Sequence, residues 1–416
     1  MTVGASWTEV TLEDHVDLVV GYAFKSSGYT DDESDVRLLR GDNVAQGELR
    51  WDKAKRWPVS DYQRYEAFHL WEGDIILAMD RPWISAGLKY ARVKRKDTPS
   101  LLVQRVARLR GTESLKTDYL RCVIGSADFT DYVLSILTGV NIPHISAKDI
   151  KRFRFLLPPV ATQEKISRVI TSYDDLIENN TRRIEILEEM ARRLYEEWFV
   201  NYRFPEGSSA LDAEKWPVER IGDVCTIIQS GGTPSRSKEE YWSNGVIDWY
   251  KTKELWDSFL FGSEERVSSQ SLIDKKARVF PSGTIMMAIY GSPTVGRLGV
   301  TTRESSCNQA ALAMRPNENK VSFWVFYYTL FSLRDYFNSK AQGAAQQNIS
   351  KEKVWETLIA IPDRQLQIRF DSIVDSIKAQ VRVLVKSNIN LRAQRDLLLP
   401  KLISGEIDVS DIPMPT

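Results

Sequence analysis

The stretch Ala161 to Val200, ATQEKISRVITSYDDLIENNTRRIEILEEMARRLYEEWFV, decides the fold of this 416-residue chain. Ile166, Ile170, Tyr173, Ile177, Asn180, Ile184, Leu187, Ala191, Leu194 and Trp198 follow one another at alternating spacings of four and three. That is the 3.5-residue period of a coiled-coil seam, so the spacing predicts one long helix with one apolar stripe. Thr162, Gln163 and Glu164, just after Pro158-Pro159, suit its first turn, where backbone N–H groups lack partners.

A lone stripe must be covered, and the positions 204 residues further on supply a second one. They are Phe370, Val374, Ile377, Val381, Leu384, Asn388, Leu391, Arg395, Leu398 and Leu402, eight of them apolar. The flanks repeat at the same offset: HIS at 144–146 falls on NIS at 348–350, Pro158 on Pro362, Gln163 on Gln367. The chain therefore reads as an internal duplication, with its two helices paired antiparallel about a pseudo-twofold axis. If Asn180 faces Asn388, then Ile166 faces Leu402, Ile170 faces Leu398, Ile177 faces Leu391 and Trp198 faces Phe370. Ile170, Ile177, Asn180, Leu187, Val381, Asn388 and Leu391 are expected to fix that register, the two amides costing stability but penalising any slip. Arg395 opposite Tyr173 is the weak layer, and Asp174-Asp175 is expected on the solvated face. From 166 to 198 the seam spans roughly 50 Å at 1.5 Å per residue, longer than one duplex turn of about 34 Å. Such a rod can serve as a ruler.

The helices punctuate two globular regions, giving segments 1–157, 158–203, 204–361 and 362–416 and a mixed α/β (α+β) fold class. In the first region Ile75 to Met79 reads as a strand, 101–111 as another with Val103, Ala107 and Leu109 on one face, and 117–139 as a helix stopping at Gly139. The order of signals returns in 280–292, 307–316 and 323–337.

Net charge is zero, which taken alone argues against nucleic acid. Charge is nonetheless segregated: residues 81–110 hold nine basic side chains against one acid, Asp97, while 161–200 hold nine acids against six bases. A basic globular face suits phosphates and an acidic helix a protein partner. Cys122, Cys225 and Cys307 have no metal or redox spacing and suit a reducing, cytoplasmic setting. No secretory signal or membrane span is expected.

No catalytic or metal-binding constellation stands out. Gly291-x-x-x-x-Gly296 lacks the Lys and Ser/Thr of a phosphate-binding loop. His15, His69 and His144 fit no triad or metal spacing, and the first two read as structural. Leu157-Pro158-Pro159-Val160 is not the Asn/Asp-Pro-Pro-aromatic tetrad of adenine methylation. Better represented are side chains able to bond phosphates and base edges. In the first region these are Lys25, Ser26, Arg40, Asn43, Arg81, Trp83, Lys89, Gln104, Arg105 and His144. In the second they are Thr233, Ser235, Lys251, Lys253, Tyr290, Arg297, Asn308, Gln309, Gln346, Gln347 and Asn348. Each taken by itself reads more readily as a turn or cap residue than as a base contact; as a set they mark a DNA face.

Two divergent globular halves, each followed by a long helix, resemble the specificity subunit of a Type I restriction-modification system. The motifs carrying the resemblance are GYAFKS (21–26), LLRGDN (38–43), GDIILAMDRP (73–82), LLVQRVARLR (101–110), HIS, GGTPS (231–235), GSPTVGRLGV (291–300), CNQAAL (307–312) and QQNIS (346–350). Pro159-x-x-x-Gln163 and the one-longer Pro362-x-x-x-x-Gln367 resemble the family's helix-entry signature, and LRAQRDLLLPKLISGEI (391–407) its tail. The resemblance implies two target-recognition domains, each reading one part of a split, asymmetric double-stranded DNA target, with the helices setting the gap. It also implies two modification subunits that methylate adenine with S-adenosylmethionine, and restriction subunits using ATP and magnesium. This chain is expected to hold no cofactor and to perform none of those reactions. A related subunit of a fused restriction-methylation system is the alternative; a self-contained enzyme and a purely structural adaptor are the rivals of other classes.

Overall fold

The computed structural model describes residues 7–137, 143–203, 215–291, 294–341 and 348–409. The chain divides into two compact units, Met1–Ile177 with Asn390–Thr416, and Glu178–Ile389. The divide falls inside both long helices, Val160–Tyr195 and Arg364–Ile403. The first helix continues as one wider turn, Glu196–Val200.

In the first unit a four-stranded antiparallel sheet runs in the order Val16–Val20, Val106–Gly111, Ile75–Ala78, Tyr90–Arg92. A second sheet joins Arg56–Trp57, Val36–Leu39 and Ser100–Leu102, and Thr8–Thr11 pairs with Arg154–Leu157. The second unit repeats this plan: Cys225–Ser230, Ala311–Pro316, Ile285–Ala288, Leu298–Thr301 and Ser258–Leu260 form one sheet. Glu265–Val267, Ile247–Tyr250 and Ser305–Cys307 form another, and Val218–Arg220 pairs with Leu358–Ala360.

Two expected elements are broken. The single strand expected over 101–111 is two strands in two sheets, Ser100–Leu102 and Val106–Gly111, handed over at a turn where Arg105 has φ +66°. Alternation along 101–111 cannot reveal that hand-over, because Leu102 before it and Val106 after it bury in the same core. The helix expected over 117–139 is Thr117–Ile124 and Ala127–Leu137. Gly125 lies so close to the Tyr90 hydroxyl that a Cβ would meet it at 2.3 Å, and Ser126 Oγ restarts the helix by accepting from Phe129 N at 3.1 Å. Gly139 lies outside the described residues.

The long helices pair as an antiparallel coiled coil. In the first unit Ile166, Ile170, Leu398 and Leu402 share one core, and Ile177 is 8 % exposed with Leu391 half-buried. In the second unit Asn180 Nδ2 donates to Asn388 Oδ1 at 3.0 Å, and Asn388 Nδ2 to Thr181 Oγ1 at 3.2 Å. Trp198 meets Phe370 with ring centroids 6.0 Å apart, Val381 is fully buried, and Leu187 packs against the same core as Phe370. No seam position of either helix is fully exposed. Asp174, expected on the solvated face, is half-buried instead: it accepts from Arg121 and, at 2.7 Å, from Arg395 Nη1. The weak layer is thus closed by an ion pair.

Both helices start on the same device. Gln163, fully buried, accepts from Lys116 N at 2.9 Å and donates to the Ser114 and Pro158 carbonyls at 2.8 Å. Gln367 accepts from Ser322 N at 2.7 Å and donates to the Lys320 and Pro362 carbonyls at 3.3 and 2.7 Å. The equivalent prolines are Pro158 and Pro362, so the two spacings are the same. Each Gln side chain thereby fastens the start of its helix to the globular part.

Candidate nucleic-acid interface

The HIS and NIS triplets show how each unit builds one end of its main sheet. Ile145 N donates to the Met79 carbonyl at 2.9 Å, and Ile349 N to that of Ile289 at 2.9 Å. Both isoleucines are core, and Ser146 and Ser350 cap the short helices that follow. The residue before each Ile bridges to the strand just past the sheet, His144 to Asp80 and Asn348 to Tyr290. On the other side Met79 N donates to the Arg105 carbonyl at 2.9 Å, and Ile289 N to that of Ala310 at 2.8 Å. The backbone frames match, and three pairs of residues occupy them: Asp80 and Tyr290, Arg105 and Ala310, His144 and Asn348.

Their chemistry does not match. In the first unit Asp80 is a clamp, one carboxylate oxygen accepting from Arg105 Nη1 at 2.9 Å and the other from His144 Nδ1 at 2.6 Å. In the second unit the Asn348 side chain accepts from Gly291 N at 3.1 Å, and Tyr290 stands exposed beside it. Thr233 Oγ1 donates to Gln309 Oε1, joining the GGTPS loop to the residue before Ala310. Asn308 Oδ1, next to them, is buried with no hydrogen-bond partner among the described residues.

The other expected residues sort by contact. Around the first frame, Arg81 is exposed at φ +45°, Gln104 is exposed, and Trp83 is 36 % exposed on a two-stranded ribbon with Gly87–Leu88. Lys25 and Ser26 are exposed in the segment following Val16–Val20, whose end lies beside Ala107. Lys89 Nζ donates to the Gly41 carbonyl, and its burial lowers its pKa. Asn43, only 5 % exposed, is a loop brace: it accepts from Arg40 N at 3.0 Å and donates to the Arg50 carbonyl at 2.9 Å. Arg40 stays half-buried near Asp42.

In the second unit Ser235 meets Ser237 at 2.8 Å, and Arg297 lies over the exposed Trp256 ring at 4.6 Å. Lys251 is held by Glu264 and Glu265 at 3.4 and 3.2 Å and Lys253 by Glu264 at 2.7 Å, so neither ammonium is a bare cation. The hydrogen bond to Glu264 raises the Lys253 pKa. Gln346 and Gln347 lie outside the described residues.

The basic run from Arg81 to Arg110 does not form one face. Arg108 is buried against Asp17, and Arg110 pairs with buried Asp74 while stacking 3.9 Å over Trp71. Asp97 is itself buried, accepting from Trp51 Nε1 at 2.8 Å. His15 and His69 take structural partners, Ser114 Oγ at 2.7 Å and the Tyr62 carbonyl at 2.8 Å. Among the described residues no helix is long and apolar enough to cross a membrane, and no three His, Cys, Asp or Glu side chains gather as a metal site. Sequence alone could not show Asp80 joining Arg105 to His144, because these partners lie 25 and 64 residues away from it.

Two related α/β units, each with a polar, arginine- or amide-bearing sheet end and a share of a helix pair, define a DNA-reading protein. The model of the Type I restriction modification DNA specificity domain matches residues 5–189 and 213–389, and the chain belongs to that family. It is similar to the Type I restriction enzyme MjaIX specificity subunit of Methanocaldococcus jannaschii, 24 % identical over 310 residues covering 72 % of this chain and 71 % of that one. The EcoAI specificity subunit of Escherichia coli is 34 % identical over 175 residues, 41 % of this chain and 28 % of that one. Among solved structures, a Type-I restriction-modification system S subunit from M. genitalium shares the fold, with a TM-score of 0.57 at 16 % identity over 97 % of this chain and 98 % of that one. The chain is a DNA-recognition subunit of the Type I restriction system.

Proposed function

We propose that the chain reads a two-part, asymmetric word in duplex DNA, one part per unit, and performs no chemistry itself. The observation carrying this is the matched pair of sheet-end frames with different side chains: Asp80, Arg105 and His144 against Tyr290, Ala310 and Asn348. Identical frames with identical side chains would suit a symmetric word; these suit two different ones. Exposed cations and backbone N–H groups bind phosphate and set orientation, while a few side chains read base edges in the major groove. The paired helices, 36 and 40 residues long, hold the unread gap. Two modification subunits, using S-adenosylmethionine, methylate adenine in the chosen word, and restriction subunits, using ATP and magnesium, cut unmodified DNA in the cytoplasm.

Mapping methylated adenines in cells with and without the chain tests this. A bipartite word with a fixed gap, present only with the chain, is expected. A single contiguous word, or methylation by the purified chain alone, contradicts it.

A further inference from the structure

We propose that the first unit reads a guanine through Arg105, with Asp80 as the residue that positions it; this rests on the two-part DNA reading above. Arg105 sits at the hand-over between sheets with φ +66°, a conformation that residues other than glycine seldom adopt. Its side chain is 68 % exposed, yet it is not loose. Asp80 holds Nη1 at 2.9 Å, and His144 holds the other oxygen of Asp80 at 2.6 Å, so the carboxylate is braced from both sides. The Nε–Nη2 edge has no partner among the described residues. That edge is a fork of two parallel N–H groups, which matches O6 and N7 of guanine in the major groove.

Two features favour a base over a phosphate. Asp80 beside the guanidinium repels an anionic phosphate but not the neutral edge of a base. A phosphate contact also needs only a cation, whereas this arginine is fixed in place, and a fixed fork loses less side-chain freedom when it binds. The backbone tells the same story at Arg81. It has φ +45° where the repeat has Gly291 at φ +83°. An L-residue is kept where glycine fits without strain, and such strain gathers at functional sites. The second unit has Ala310 in place of Arg105 and cannot read guanine this way.

Methylated adenines are mapped in cells carrying the complete system with the wild-type chain, Arg105→Ala, Arg105→Gln or Asp80→Asn. If the wild type yields no two-part word, the underlying reading fails. If it does, one guanine in one half-word should lose roughly 5- to 150-fold of its preference in both Arg105 variants. Asp80→Asn should relax that same letter and no other, which a merely structural carboxylate would not do. An unchanged guanine in the Arg105 variants overturns the inference. So does a uniform loss across the half-word, the mark of a phosphate contact, or loss of the whole pattern in both variants.

Discussion

Asp174 and Lys378 stand at the same place in the two long helices, 204 residues apart, with opposite charges. Asp174 gathers guanidinium groups, Arg121 from a short helix of its unit and Arg395 from the other long helix. Lys378 is 3 % exposed and donates to Glu188, with the Trp324, Tyr327 and Tyr328 ring centroids 5.2, 4.8 and 5.1 Å from its ammonium. Burial lowers the Lys378 pKa and Glu188 works against it. One unit thus surrounds an anion with cations, and the other cages a cation with aromatic faces. Duplication has kept the apolar layers and the Gln fastening and left polar partners free to change, provided each buried charge found one. The sheet ends show the same freedom, with different side chains standing in matching backbone frames.

The largest effect should come from Glu188→Ala, which strands Lys378 among aromatic rings and costs about 3–5 kcal/mol in urea unfolding. Asp174→Ala leaves part-solvated guanidiniums and should cost less, about 1–3 kcal/mol; equal losses would break the contrast. Between the lowered Lys378 pKa and the usual 10.5 the unfolded chain binds more protons than the folded one. Wild-type stability therefore gains with rising pH across that window, and Lys378→Met should abolish the gain.

Where the units agree, so should their mutants. Gln163→Ala and Gln367→Ala each leave buried backbone groups unpaired and should cost about 1–3 kcal/mol, alike within measurement. A large difference would mean the fastening is used in one unit only. Asn180→Leu should cost about 1 kcal/mol, and adding Asn388→Leu should recover it, since two apolar partners need no hydrogen bond. The smallest effect concerns the thiols. Burial pushes Cys122 and Cys307 up to about 12, so neither should be alkylated by iodoacetamide at neutral pH until its unit unfolds.

The helix pair was legible because its period is regular over ten layers and the offset to its partner is constant. The Asn180–Asn388 contact follows from that arithmetic alone. Arg395 was not, since the partner that explains it, Asp174, reads as a surface residue until Arg121 is brought in from a different element. The strand over 101–111 failed for a related reason: a local pattern cannot show that the chain changes sheet at Arg105. At the site, sequence picked residue types able to bond DNA. It could not tell Arg105, exposed and clamped, from Arg108, buried against Asp17, or from Lys253, paired with Glu264.

The most direct test of two readers on one scaffold is to map methylation for Arg105→Ala and Gln309→Ala side by side. Each substitution should relax letters in a different half of the two-part word and leave the gap unchanged. If both relax the same half, or either changes the gap, the units do not read separate words.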